Sequence, residues 1–480
     1  MSVSKQNRRQ TLPFAYQINR FISKYPDLKY NGSGIYCLMC RRRLVGWNAI
    51  NCRQHVLSAR HKQSRKMHMP YWTFVYDFIF MLSVCDIPQN MLDNSHFRAF
   101  WQKYVPNWAL PTRKQVCTEF PHVKEVVENQ IRCELRDKKL WVTVEIVDVK
   151  KDKVGNVLVR ILEENYSSKP FLIASQRLKQ LDADTIHYVV IGALMKFSVH
   201  PKNVLMFVTD ESEHMLAAGA KLKSTCPNLL HIICILHVLH HITESIRTSY
   251  PDIDKLIISM KRIFVKSAKL TQQFQKICPK IPEPPQPLLA SWEAWLKAAF
   301  YYNGYFDVVK AAMIQFTPKQ SRYIKGCQQL FKDPRVEADL KMIHENYGFL
   351  VDAIEILQEA SLSLTESMDM AENVYSTLSH LENVPGMVAA EKFSDILWGN
   401  PDYEKLRAIN ECLKEDRLNS DLQRYYSHAN ITCMDVERSL ASYNAIFTST
   451  KTCLSESAAE GVLMMQLYAK HNKRAFTWKK

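Results

Sequence analysis

The sequence predicts an α/β protein: a small metal-ligating module, then a mixed sheet, then a long all-helical stretch that interrupts the sheet region. Three observations carry this expectation. Cys37, Cys40, His55 and His61 are spaced as C-x2-C-x14-H-x5-H. From Leu140 to Ile235, two-residue alternation gives way to helix and strand in turn. From 292 to 426 nearly every apolar position repeats at helical spacing, after a proline-rich stretch at 276–291.

The first pattern is the most specific. Two thiolates on a hairpin turn and two imidazoles on a helix form a quartet suited to tetrahedral zinc, and the histidine spacing is that of structural fingers. Tyr36, Val45, Ile50 and Val56 supply a miniature apolar core, so zinc is expected to hold residues 31–67 together. Charge is concentrated at this module. Residues 1–66 contain fourteen Lys and Arg against the single acid Asp27, a local +13 in a chain of net +15. Arg41, Arg42, Arg43, Arg53, Arg60, Lys62, Arg65 and Lys66 surround the ligands, a distribution that favours phosphate and hence double-stranded DNA. Asn51, Arg53 and Gln54, just ahead of His55, are candidates to reach base edges. Residues 1–30 read as a basic arm, either a DNA-contacting extension or a disordered leader.

Length and composition bound the rest. With 480 residues and 47% hydrophobic content, the chain can bury a sizeable core in several domains. No apolar run approaches a membrane span, and the basic start, Met1–Arg9, precedes no signal core. The expectation is a cytosolic or nuclear protein. Thirteen cysteines spread over the chain argue for reduced thiols rather than a disulfide framework.

Residues 72–120 read as a helical unit that braces the finger, with stripes at Phe74, Phe78, Met81, Leu82 and at Phe97, Phe100, Trp101, Val105. Within 135–275, Leu140–Ile146 and Val157–Ile161 alternate about a turn at Lys150–Gly155, and a third strand lies near Phe171–Ala174. A helix around Ile186–Phe197, a buried strand Val204–Val208, a helix over 212–223, a strand Leu230–Ile235 and a helix over 236–249 follow. The helical insertion, 292–426, reads as a domain of its own. The last segment, 431–470, carries two helices, and Met464, Met465 and Leu467 fit either core or a subunit interface.

Two constellations lie in the α/β region. Glu145 and Asp148 sit on the first strand and Asp210 ends a later one; with Glu437 on a C-terminal helix they form the acid set a two-metal site would use. Strand-end acids are also commonly just solvated. Cys234, His237, His240 and His241 mark a strand-to-helix turn that fits either metal binding or a packed junction.

Together these motifs resemble a known lineage. The finger with Asp86-Ile-Pro88, His96-Phe-Arg-Ala-Phe100, Val105 and Leu110-Pro111 resembles the CGG triplet repeat-binding protein family. Leu140-Trp-Val-Thr-Val-Glu-Ile-Val-Asp148, Asn203-Val-Leu-Met-Phe-Val-Thr-Asp210, Cys234-Ile-Leu-His237, Trp292 and Cys433-Met-Asp-Val-Glu-Arg-Ser439 resemble, in order, the catalytic region of hAT transposases. The resemblance implies a ribonuclease-H-like core broken by a helical insertion, a C-terminal dimerisation segment, and catalytic acids at Glu145, Asp210 and Glu437. Glu145 stands where that family has Asp, unless the first acid is Asp148, and Ser291 replaces an arginine. The implied reading is a zinc-dependent, homodimeric nuclear DNA-binding protein with an eroded transposase site and nuclear partners for the insertion. The alternative is an active transposase using Mg or Mn.

Overall fold

The computed structural model describes residues 25, 27–30, 34–37, 39–40, 42–44, 49–106, 108–149, 152–166, 168–285, 293–359, 362–417, 420–433 and 455–471. The arm before Tyr25, Arg41, Ser291, Trp292 and Glu437 lie outside them, as do the side chains of Arg65 and Lys66.

The N-terminal module is a three-stranded antiparallel sheet, β1 (Leu28–Tyr30), β2 (Ile35–Cys37) and β3 (Arg42–Arg43), followed by α1 (Ala49–Leu57) and α2 (Ala59–Val84). Its strands begin ahead of residue 31. The single histidine helix expected from sequence is two helices. Ser58 is the N-cap of α2, its backbone extended and its hydroxyl accepting from the His61 N–H, so the chain turns between the two imidazoles. Helix α2 then continues through Pro70 into the next unit instead of ending with the finger. Leu28, Ile35, Cys37, Met39, Leu44 and Cys52 form a small buried cluster separate from the main core, and Trp72 packs against both.

Helices α3 (Ser95–Tyr104) and α4 (Arg113–Leu135) complete the helical unit. Thr112 and Gln115 form a reciprocal capping box that fixes the start of α4. Helix α3 is less buried than its aromatic stripe suggested. Trp101 packs on Phe74 and Phe78, and Phe97 on Trp101, but Phe100 points outward, paired with Tyr104.

The main sheet has strand order β6-β5-β4-β7-β8. Its strands are β4 (Lys139–Val149), β5 (Asp152–Leu162), β6 (Phe171–Leu178), β7 (Val204–Thr209) and β8 (Leu230–Ile233). Strand β5 runs antiparallel to both neighbours, whereas β4, β7 and β8 are mutually parallel. The hairpin turn is tighter than the sequence indicated, because Gly155 pairs with Ile146 inside the ladder. Every residue of β7 is buried, as expected of a parallel strand covered on both faces. Helices α5 (Ala183–Lys196), α6 (Glu213–Thr225), α7 (Ile235–Ser249), α8 (Pro251–Val265) and α9 (Ala268–Ile277) follow the strands in turn.

Beyond the proline-rich stretch, residues 294–414 form seven helices, α10 (Ala294–Gly304) to α16 (Pro401–Lys414). Their buried side chains are continuous with those of the sheet. The insertion therefore shares one core with it rather than standing apart. A specific polar anchor joins them: the fully buried Asp402 carboxylate accepts the His231 N–H of β8 at 2.8 Å and pairs with Lys223 and Lys405. The last described helix, α17 (Glu456–His471), packs on β6, α2 and α4. Val462, Leu463, Met464, Met465, Leu467 and Tyr468 are all buried there, so this apolar face is spent within the chain. Among the described residues, no helix is long and apolar enough to cross a membrane.

Candidate metal centre

The structure brings Cys37, Cys40, His55 and His61 together, with one ligand atom of each within 4.8 Å of the others. Strand β2 delivers Cys37 and the turn after it Cys40, whose N–H donates to the Cys37 Sγ at 3.3 Å. Helix α1 delivers His55, and the first turn of α2 delivers His61. The His61 Nδ1 lies 3.4 Å from the Cys37 Sγ and 3.5 Å from the Cys40 Sγ. The edge of a tetrahedron built on ordinary zinc–ligand bond lengths is roughly 3.5–3.8 Å.

The protonation pattern fits the same assignment. The far nitrogen of His61, Nε2, meets the Asp27 Oδ2 at 3.1 Å in a buried contact. The carboxylate keeps the proton on Nε2, which leaves the Nδ1 lone pair facing the two sulfurs. The Nε2 of His55 is buried and has no hydrogen-bond partner, as a nitrogen reserved for a metal would be. Burial, then the neighbouring His61 and Arg42, hold His55 below the usual imidazole pKa and so neutral. The Arg42 guanidinium meets the other nitrogen of His55 at 3.1 Å. A guanidinium only donates, so this contact must loosen when Nε2 binds a cation and Nδ1 carries the proton. Without metal, burial pushes the Cys37 thiol up to about 12. Binding must therefore displace thiol protons. The donor set is that of a closed structural zinc site.

Around these ligands Arg42, Arg43, Arg53, Arg60 and Lys62 are exposed, as are Asn51 and Gln54. Sequence reasoning treated Asp27 only as a lone acid among cations; its place beside His61 depends on the β1–β2 pairing, which no spacing reveals.

The carboxylates of the sheet behave differently from one another. The last pair of the parallel β4–β7 ladder is Thr143 with Val208; Glu145 lies two residues beyond it on β4, and Asp210 follows the end of β7 at Thr209. Glu145 is half-buried. Asp148 is exposed at the hairpin end, where it pairs with Lys153 at 2.8 Å. The Asp210 Oδ1 accepts from the N–H and hydroxyl of Ser212, at 3.0 and 2.6 Å.

The second Cys/His motif is divided. His237 and Cys234 gather with Cys433, which the sequence reading did not associate with them, whereas His241 pairs with Glu211. His240 is not in that group.

No protein-family model matches the chain, and no curated protein is significantly similar to it. What the structure itself shows is a Cys/His cluster of the kind that binds zinc, together with an α/β sheet flanked by helices.

Proposed function

We propose that the protein is a zinc-dependent nuclear DNA-binding protein derived from a hAT-like transposase, acting on transcription or chromatin. The observation that carries this reading is the pairing of a buried Cys2His2 cluster with exposed Arg43, Arg53, Arg60 and Lys62 on the elements that hold it. A metal-fixed helix bearing cations is suited to the phosphate backbone, with Asn51, Arg53 and Gln54 of α1 facing the bases. The strand order β6-β5-β4-β7-β8, with only β5 reversed, supports a ribonuclease-H-like ancestry of the sheet. A homodimer presenting two fingers to a repeated site belongs to the proposal, through a surface other than α17. Val384, Met387 and Val388 stand exposed near the start of one helix of the insertion and suit a nuclear protein partner there.

The test is fluorescence anisotropy of the full chain on labelled DNA duplexes across a salt series. Replacing Arg53, Arg60 and Lys62 by Ala should weaken binding to all sequences. It should also reduce the slope of log affinity against log salt by about 0.9 per lost phosphate contact. An unchanged slope, or undiminished binding by the Cys40→Ser chain, overturns the assignment.

One observation favours a second reading. Glu145 and Asp210 lie just past the last pair of two neighbouring parallel strands, and with Glu437 they are the acids an active transposase would use with Mg or Mn. Strand cleavage in manganese that Asp210→Asn abolishes would establish it.

A further inference from the structure

The junction between β8 and α7 holds a second set of metal-ligand atoms. Cys234 follows β8 and is the N-cap of α7, and its N–H donates to the Thr209 carbonyl at the end of β7, at 2.7 Å. His237 is one turn further on. The third member comes from far along the chain. Residues 429–433, where the chain returns from the helical insertion, are all buried. They are pinned by the Ile235 N–H on the Ile431 carbonyl at 3.2 Å and by the Trp141 indole on the Asn430 carbonyl at 2.7 Å. This docking sets the Cys433 Sγ 3.2 Å from the Cys234 Sγ and 3.3 Å from the His237 Nδ1. The Cys433 N–H also donates to the Cys234 Sγ at 3.2 Å, which favours a thiolate there.

We propose that Cys234, His237 and Cys433 form a second zinc site, which clamps the returning segment to the sheet beside Asp210. The spacings match those of the N-terminal cluster, 3.4 and 3.5 Å, and are close to a zinc tetrahedron's edge of roughly 3.5–3.8 Å. A disulfide would place the sulfurs about 2.05 Å apart. Two thiolates and one imidazole are soft ligands that select zinc over magnesium or calcium. Both cysteines are buried and His237 is half-buried, so the three side chains would leave the fourth position of the ion to a water. Zinc entry releases the thiol protons to solvent, and no oxidant is required. The ion holds together residues that are 199 apart in sequence. It therefore fixes Cys433 against the end of the sheet. This proposal is independent of the DNA-binding reading.

The test is metal analysis of the full chain, purified with reductant and dialysed against excess chelex-treated buffer after zinc loading. Wild type should retain two zinc ions per chain, and the Cys37→Ser/Cys40→Ser chain one. The apolar cluster around the finger is separate from the main core, so that variant keeps the core folded. Cobalt loaded into the same variant should give a thiolate-to-metal charge-transfer band. Adding Cys433→Ser should remove the remaining ion. One zinc in wild type and none in the finger variant overturns the proposal. So does a Cys234–Cys433 disulfide found by mass spectrometry in the reduced, zinc-loaded chain.

Discussion

The contact between Asp27 and His61 predicts how much the carboxylate contributes to holding zinc. Asp27 is 9% exposed and His61 1%, so water competes little for the 3.1 Å hydrogen bond between them. The carboxylate fixes the ring orientation and raises the basicity of the Nδ1 that faces the sulfurs. Outer-shell partners of this kind change metal affinity about 10–100-fold, or about 1.4–2.8 kcal/mol. Asp27→Asn keeps an acceptor for the Nε2 proton but loses the charge, and should weaken zinc by about tenfold. Asp27→Ala removes both and should approach about a hundredfold. Neither removes a ligand, so zinc should still bind at saturation. The assay is competition between the full chain and a chromophoric chelator, following the ion that the Cys40→Ser chain lacks. If both variants bind within about twofold of wild type, the reasoning fails and Asp27 is merely a buried neighbour.

Three further outcomes follow from the same structure. Cys40→Ser should unfold the N-terminal module while the sheet stays intact, because structural zinc supplies about 10–16 kcal/mol to such a unit; limited proteolysis with cleavage confined to residues before about 70 checks it. Gly219→Ala should destabilise the core by about 1–3 kcal/mol, since a Cβ there would collide with the His231 ring; urea unfolding measures this, and an unchanged midpoint refutes it. Burial, helped by Lys223, lowers the His231 pKa to about 4, against about 6.5 unfolded. That histidine's contribution is thus fully present above about pH 6.5 and is lost as pH falls toward about 4, by up to about 3 kcal/mol. His231→Gln should flatten that part of the stability–pH profile, and a parallel profile would falsify the assignment.

Much of the architecture was legible because it is written in local periodicity. Alternation located β4 and β5, an unbroken apolar run located β7, and helical spacing located α5 and the helices of the insertion. The quartet Cys37, Cys40, His55 and His61 was legible because two close ligand pairs leave little freedom to the chain between them. Local signals failed where a partner decides the outcome. The apolar face of α17 suits a dimer as well as a core, and only its seat against β6, α2 and α4 makes it core. Phe100 fits a buried stripe, yet among the described residues nothing covers that side of α3. Sequence offered Asp148 as the alternative to Glu145, and only the folded hairpin shows Asp148 exposed and paired with Lys153.

Sequence alone determined the Cys2His2 ligand set, the concentration of cations around it and the individual strands and helices, since each depends on residues near one another in the chain. Tertiary structure alone decided which distant groups complete them. Asp27 reaches His61 by strand pairing, Asp402 reaches His231 across 171 residues, and Cys433 reaches Cys234 across 199. Spacing cannot encode such meetings, because the path between the two ends is set by the packing of every helix in between.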